Sequence, residues 1–293
     1  GFIGSNLSIR LLKEGHKVTI LDSLIKEYGG NLFNIEGYKE NINIDNSDLR
    51  DSLSLKPLLK GVDIIYNLAS QIGHASSMIN PKEDLDINLK GQLNLLKEVK
   101  ETCPEALIVY SSTRQVYGKP KYLPVDENHP INPPDINGIH KFAAEQYHSL
   151  FSSVYGLRYV ILRLTNTYGP RMRIKDAKQT FLGVWIRNLI LGNPIEVFGS
   201  GAQIRDFNYV DDVVDALTKV SRNSKCENKI INLGTNEALS LLEVAKLICK
   251  FKKDSTFELK PFPKNIKSID IGNYYTDYSL AKTFLDWEPK TNF

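Results

Sequence analysis

Apolar residues recur along the first 165 positions in two alternating rhythms. Leu7, Ile9, Leu11 and Leu12 follow a helical pattern ahead of Gly15, which predicts a helix over 5–14. A compact apolar run then predicts a strand over 18–21. The alternation continues: short apolar runs predict strands over 43–45, 62–67, 107–111 and 159–163, and amphipathic stretches predict helices over roughly 53–60, 81–101 and 137–155. Strands that alternate with helices in this way imply an α/β fold, a doubly wound parallel sheet with helices on both faces.

Beyond residue 165 the texture changes. Pro170, Arg171, Arg173, Lys175 and Asp176 predict a polar loop. Phe181, Val184, Trp185, Ile186, Leu189 and Ile190 predict a helix stopped by Gly192 and Pro194. Short strands are expected over 195–198, 206–210 and 229–233, and helices over 211–221, 239–251 and 278–286. Ser240 followed by Glu243 has the spacing of a capping box. The division expected is a dinucleotide-binding domain of residues 1–165 plus about 205–235, and a smaller α/β substrate domain of about 166–204 and 236–293.

Composition narrows the class without naming it. A chain of 293 residues with 42% hydrophobic and 24% charged residues supports a real core and reads as globular. A net charge of +3, with dispersed basic residues, does not argue for nucleic acid as a partner. Cys103, Cys226 and Cys249 stand far apart with no C-x-x-C pair, so a reducing, cytoplasmic setting without structural zinc is expected. The chain has no apolar run of about 18 residues, so no membrane partner is expected either.

Chemistry enters at the first residues. Gly1-Phe2-Ile3-Gly4 opens the first helix, and the strand that follows ends in Asp22. Two glycines three apart at a helix start, then a strand, then an acid about 20 residues on, make the back half of a dinucleotide-binding fingerprint. Gly1 would let the backbone approach a pyrophosphate, and Gly4 would let the helix pack close to the sheet. The amides and positive dipole end of the helix would face phosphates. Asp22 would accept hydrogen bonds from a ribose diol, and its charge favours NAD over NADP. The first strand and first glycine of the fingerprint are not in the sequence. The expectation is a sheet lacking its middle strand here, with residues before Gly1 in the natural protein.

Further segments converge. They are Asn67-Leu68-Ala69-Ser70-Gln71, Tyr110-Ser111-Ser112-Thr113 leading into Val116-Tyr117-Gly118, Lys141 with Glu145, Arg163 to Pro170, and Gln203 to Asp212. In order and spacing they resemble the extended short-chain dehydrogenase/reductase family, in its nucleotide-sugar epimerase/dehydratase branch. The resemblance implies NAD as cofactor, a nucleoside-diphosphate sugar as substrate and a homodimer as the assembly. It implies oxidation at sugar C4, followed by re-reduction in epimerases or loss of water in dehydratases. Carried onto this chain, Gly1, Ile3, Gly4, Asp22, Asp48, Leu49, Leu68, Ala69, Ser70, Ser111 and Lys141 would hold the dinucleotide. Gln71, Thr113, Asn166, Arg171 and Arg205 would hold the substrate, Thr113 at the reacting hydroxyl and Arg205 at the diphosphate. Thr113, Lys141 and Asn137 would carry the chemistry.

Two departures matter. The family places a tyrosine base one helical turn before the lysine, on the same face. Here that position is Asn137, which hydrogen-bonds but does not titrate. The proton could pass to another group (His140, Tyr117 or Tyr168), to water or to the substrate's phosphate. The asparagine could instead be an altered residue, or the protein a quiet binder of NAD and nucleotide sugar. Dehydratases of the family carry Asp-Glu after the threonine, whereas Arg114-Gln115 stand here and supply no carboxylic acid. Arg114 is either a surface ion-pair partner or a contact to a substrate carboxylate or phosphate. The function expected is epimerisation with an altered proton relay; 4-reduction or dehydration is the alternative.

Overall fold

A computed structural model describes residues 1–175 and 180–293; Asp176 of the predicted polar loop lies outside the described residues. The chain begins with α1 (Phe2–Lys13), β1 (Thr19–Leu21), β2 (Asn43–Asp45), α2 (Ser52–Leu58) and β3 (Ile64–Asn67). Next come α3 (His74–Ile79), α4 (Pro81–Leu85) and α5 (Gly91–Thr102). A π-helical turn over Asp86–Lys90 joins α4 to α5, so the single helix expected over 81–101 is one run with a bulge. The Rossmann half closes with β4 (Leu107–Thr113), α6 (Ile136–Tyr155), β5 (Arg158–Leu164) and the short β6 (Asn166–Tyr168). The remainder holds α7 (Phe181–Leu191), β7 (Ile195–Phe198), β8 (Ile204–Tyr209), α8 (Val210–Val220), β9 (Lys229–Leu233), β10 (Ala238–Ser240), α9 (Leu241–Cys249), β11 (Phe257–Lys260), α10 (Lys264–Lys267) and α11 (Ser279–Leu285). Ser240 and Glu243 form the capping box of α9.

The main sheet is parallel, in the order β3-β4-β5-β9. Alternation along its strands explains both faces. Leu107 and Val109 of β4, with Val160 and Leu162 of β5, pack into one core with Val213, Val214 and Leu217 of α8. Ile108 and Tyr110, with Tyr159 and Ile161, pack into the other with Leu96 and Val99 of α5 and Phe151 of α6. β1 and β2 pair only with each other. Among the described residues no strand is hydrogen-bonded between β1 and β3, so the sheet is divided where the doubly wound topology puts a middle strand.

A third core, with Leu182 and Trp185 of α7, Val197, Phe207 and Val244, marks the smaller unit. The final helix does not belong to it. Ala281 and Leu285 of α11, with Trp287 beyond, pack in the first core, and the Trp287 indole donates to Asp212 O at 2.8 Å. Residues around 281–287 therefore brace the main sheet rather than the smaller unit. Among the described residues no helix is long and apolar enough to cross a membrane.

Candidate active site

In open α/β sheets ligands sit beyond the carboxyl ends of the strands. Here the ends of β3, β4 and β5 border an open cavity that reaches from the start of α1 to the smaller unit and runs on into the divide between β1 and β3. At one end lies the N-terminus of α1, whose N-cap Gly1 offers no side-chain cap to the first amides. Asp22, just past β1, places its carboxylate 3.0 Å from the backbone nitrogen of Gly1 and accepts from Leu24 N at 2.9 Å. An added Cβ at Gly4 would meet Leu68 at 3.8 Å, an ordinary contact.

Asp48 and Leu49 line the cavity after β2. The Asp48 carboxylate is gripped by the Arg50 side chain at 2.9 and 2.7 Å, which holds it below the usual carboxylate range. Leu68, Ala69 and Ser70 follow β3 along the wall. Gln71 does not: it is 3% exposed, outside the cavity lining, and its amide is spent on the backbone of Gly73. The sugar contact expected of Gln71 is thus corrected; its side chain shapes the loop.

At the end of β4, Thr113 caps a short turn by accepting from Gln115 N at 3.2 Å, and its side chain borders the cavity. Helix α6 brings Asn137 and Lys141 to the same wall, one turn apart. Lys141 is 4% exposed, donates to Ser111 O at 2.9 Å and lies 4.8 Å from the centre of the Tyr110 ring. Burial pushes its ammonium down to about 8, against the pull of Asp84 and Glu145. Asn137 is fixed on its amide side. Its Nδ2 donates to Gln71 O at 2.7 Å and to Asp84 Oδ2 at 3.1 Å.

The far end is charged. Asn166 accepts from Arg114 Nη2 at 3.1 Å and donates to Asp206 O at 3.0 Å. Arg114 lies over the Tyr274 ring at 5.2 Å, with burial lowering its pKa; it is not a surface ion-pair residue. Arg205 is held by Ile204 O, Gly272 O and Asp270 Oδ2, the last at 3.2 Å. Burial and the neighbouring Arg114 push Arg205 down to about 10. Arg171 borders the cavity nearer the dinucleotide end, where it donates to Asn34 O at 2.8 Å and Asn6 Oδ1 at 2.9 Å.

Two candidate bases are removed by the structure. The Tyr117 hydroxyl is buried between Arg163 and Asn232, and burial raises it to about 12. Tyr168 donates to Asn292 O at 3.0 Å and is likewise raised to about 12 by burial. Neither lines the cavity. His140 does not line it either, but its Nδ1 lies 2.7 Å from the buried Asp84. Asp84 and Asp270 were not foreseen. Both sit in polar stretches whose pattern reads as solvated surface, and only tertiary packing brings them to the site.

The chain matches the NAD dependent epimerase/dehydratase family over residues 1–234. The chain belongs to that family. It is 35% identical, over 99% of its length and 91% of the relative's, to a protein of Methanocaldococcus jannaschii named "Putative UDP-glucose 4-epimerase". It is 32% identical to UDP-glucuronic acid decarboxylase 1 of Danio rerio, over 99% of this chain and 67% of that protein. Among solved structures, UDP-glucose 4-epimerase of Thermotoga maritima with UDP-glucose superposes with a TM-score of 0.91 at 29% identity, covering 100% of this chain and 92% of that one. The residues present fit the family's dinucleotide. An uncapped helix start with a carboxylate beside it, and a buried lysine on the same continuous cavity, are the chemistry that would hold its phosphates, ribose and ring.

Proposed function

We propose that this protein is an NAD-dependent nucleotide-sugar epimerase that oxidises the sugar at C4 and re-reduces it. The observation that carries this reading is the single cavity shared by the α1 N-terminus, Lys141, Thr113 and Arg205. Bound NAD supplies the hydride acceptor. Asp22 and the first amides of α1 hold its ribose and phosphates. Lys141 uses one of three donors on Ser111 O and has two left for the nicotinamide ribose. Thr113 orients the reacting hydroxyl. Asn166 and Arg205 bind the diphosphate, Arg205 by charge-assisted bonds. Residues 1–165 and about 205–235 hold the dinucleotide, and about 166–204 with parts of 236–293 hold the nucleotide sugar.

Epimerisation is favoured over dehydration by the residues after Thr113. Arg114, bound to Asn166, and Gln115, which donates to Asp135 at 2.7 Å, are a guanidinium and an amide, so neither position supplies a carboxylic acid to protonate a leaving hydroxyl. Exposed Ile139, Leu150, Val154 and Tyr155 on α6 support a homodimer through that helix, which light scattering would test. The relatives' printed substrates support a UDP-linked sugar. The decisive experiment incubates the protein with NAD and a panel of nucleoside-diphosphate hexoses and separates the products by chromatography. Interconversion of one pair is expected. NAD binding without turnover of any sugar would overturn the assignment.

A further inference from the structure

We propose that Asn137 and Asp84 form a proton relay in this site, with Asp84 storing the hydroxyl proton while the sugar is a ketone and His140 positioning that carboxylate. The inference rests on the epimerase reading. Asn137 borders the cavity, and both hydrogens of its amide are committed, to Gln71 O and to Asp84 Oδ2. Its remaining polar atom, Oδ1, is therefore the one offered to a ligand, as an acceptor. Behind it, Asp84 is 0% exposed and is bonded on its other oxygen to His140 Nδ1 at 2.7 Å. The backbone around the relay is pinned as well. Asn88 donates to the same Gln71 O at 2.8 Å, and Ser77 Oγ accepts from Asn137 N at 3.2 Å. A buried carboxylate with this wiring exceeds what is needed to orient one amide.

The step balances. As the C4 hydride leaves for oxidised NAD, the substrate O–H bond breaks and its electron pair completes the C=O bond. The proton goes to Asn137 Oδ1, while an Nδ2 proton passes to Asp84 Oδ2. Asn137 becomes the imidic-acid tautomer and Asp84 the neutral acid. Re-reduction on the other face runs the same path backwards, so no proton need reach solvent. The titratable groups facing Asp84 are His140 and Lys141 from α6, Tyr110 from β4, and Tyr28.

Three measurements test it. In the 15N-labelled apo protein, the Asn137 side-chain amide resonance should move in His140→Ala, and Asp84→Asn should abolish that coupling. An amide that ignores His140 overturns the relay. In wild-type turnover, the rate in mixed H2O and D2O should follow a bowed proton inventory, because two protons move together; a linear one overturns it and needs no variant. Asp84→Asn should lower turnover by roughly 10²–10⁴-fold, the range of a proton-transfer group, with NAD and nucleotide-sugar affinities unchanged. Full activity in that variant sinks the relay alone. A wild type that binds NAD and turns over no nucleotide hexose sinks the functional assignment instead.

Discussion

Replacing Lys141 by methionine should make the protein more stable at neutral pH while weakening its grip on the cofactor. The ammonium falls from an ordinary 10.5 to about 8 because burial penalises the charged form. At about 1.4 kcal/mol per pKa unit, the folded state bears a cost of roughly 3 kcal/mol whenever the lysine is charged. The unfolded chain keeps the proton up to its higher pKa. The cost is therefore complete below pH 8, shrinks as pH rises from 8 towards 10.5, and is gone above that. Methionine fills similar space without charge. It forfeits the charge-assisted Ser111 hydrogen bond, about 1.5–3 kcal/mol, so a net gain of roughly 0.5–2 kcal/mol is expected at pH 7. Urea denaturation of both proteins at pH 7 and at pH 10 measures it. The advantage of Lys141→Met should be largest at pH 7 and close, or reverse, by pH 10. A variant less stable than wild type at pH 7, or a difference independent of pH, would refute the argument that this lysine is held at the expense of stability.

Arg205→Ala should weaken nucleotide-sugar binding by about 1.5–3 kcal/mol for one lost charge-assisted bond, with NAD affinity unchanged; calorimetry with each ligand separates the two. Asp22→Asn should weaken NAD binding by about 1–3 kcal/mol and narrow the preference over NADP, read by fluorescence titration with both dinucleotides. Gly118→Ala should cost about 3 kcal/mol or more in thermal denaturation. The residue sits at φ +68° and a Cβ there would lie 2.0 Å from Asn132 O. An unchanged melting temperature would mean that this turn adopts another conformation in solution.

The strands of the main sheet were readable because each is a short apolar run bounded by polar turns, and β4 is buried along almost its whole length. The order α6 then β5 followed from the same pattern. What the pattern does not carry is anything decided by a neighbour. The π-helical turn at Asp86–Lys90 buries Asn88 and no apolar residue, so the apolar pattern does not report it. The strands β6 and β10 are three residues each, too short for alternation to register. At the site, Lys141 and Thr113 were expected only through the family resemblance, and the structure brings both to the cavity wall. Gln71 is not brought there, because its amide folds back on Gly73. Asp84 lies in Pro-Lys-Glu-Asp, a run that looks solvated, and it is buried only because α6 crosses over it.

The placement of buried charge connects this fold to its chemistry. Glu145, one turn beyond Lys141 on α6, is fully buried and grips Arg163 of β5 through two bonds of 3.0 and 2.6 Å. A buried pair of this kind is often no better for stability than apolar side chains of the same volume. Its geometric effect is different. It locks α6 to the carboxyl-terminal half of β5, beside the end of β4, so the Lys141 ammonium can reach only the Ser111 carbonyl and the cavity beyond. Arg205 and Asp206, also buried and displaced, stand at the opposite end of the same cavity, where burial lifts Asp206 to about 6. Burial also displaces groups away from this wall: His148, stacked on Tyr110 in the second core, is pushed down to about 4. Glu145 and Arg163 answer each other and do not border the cavity, whereas Lys141 and Arg205 do border it and are held there against the cost of burial, which is the signature of charges kept for what enters the pocket.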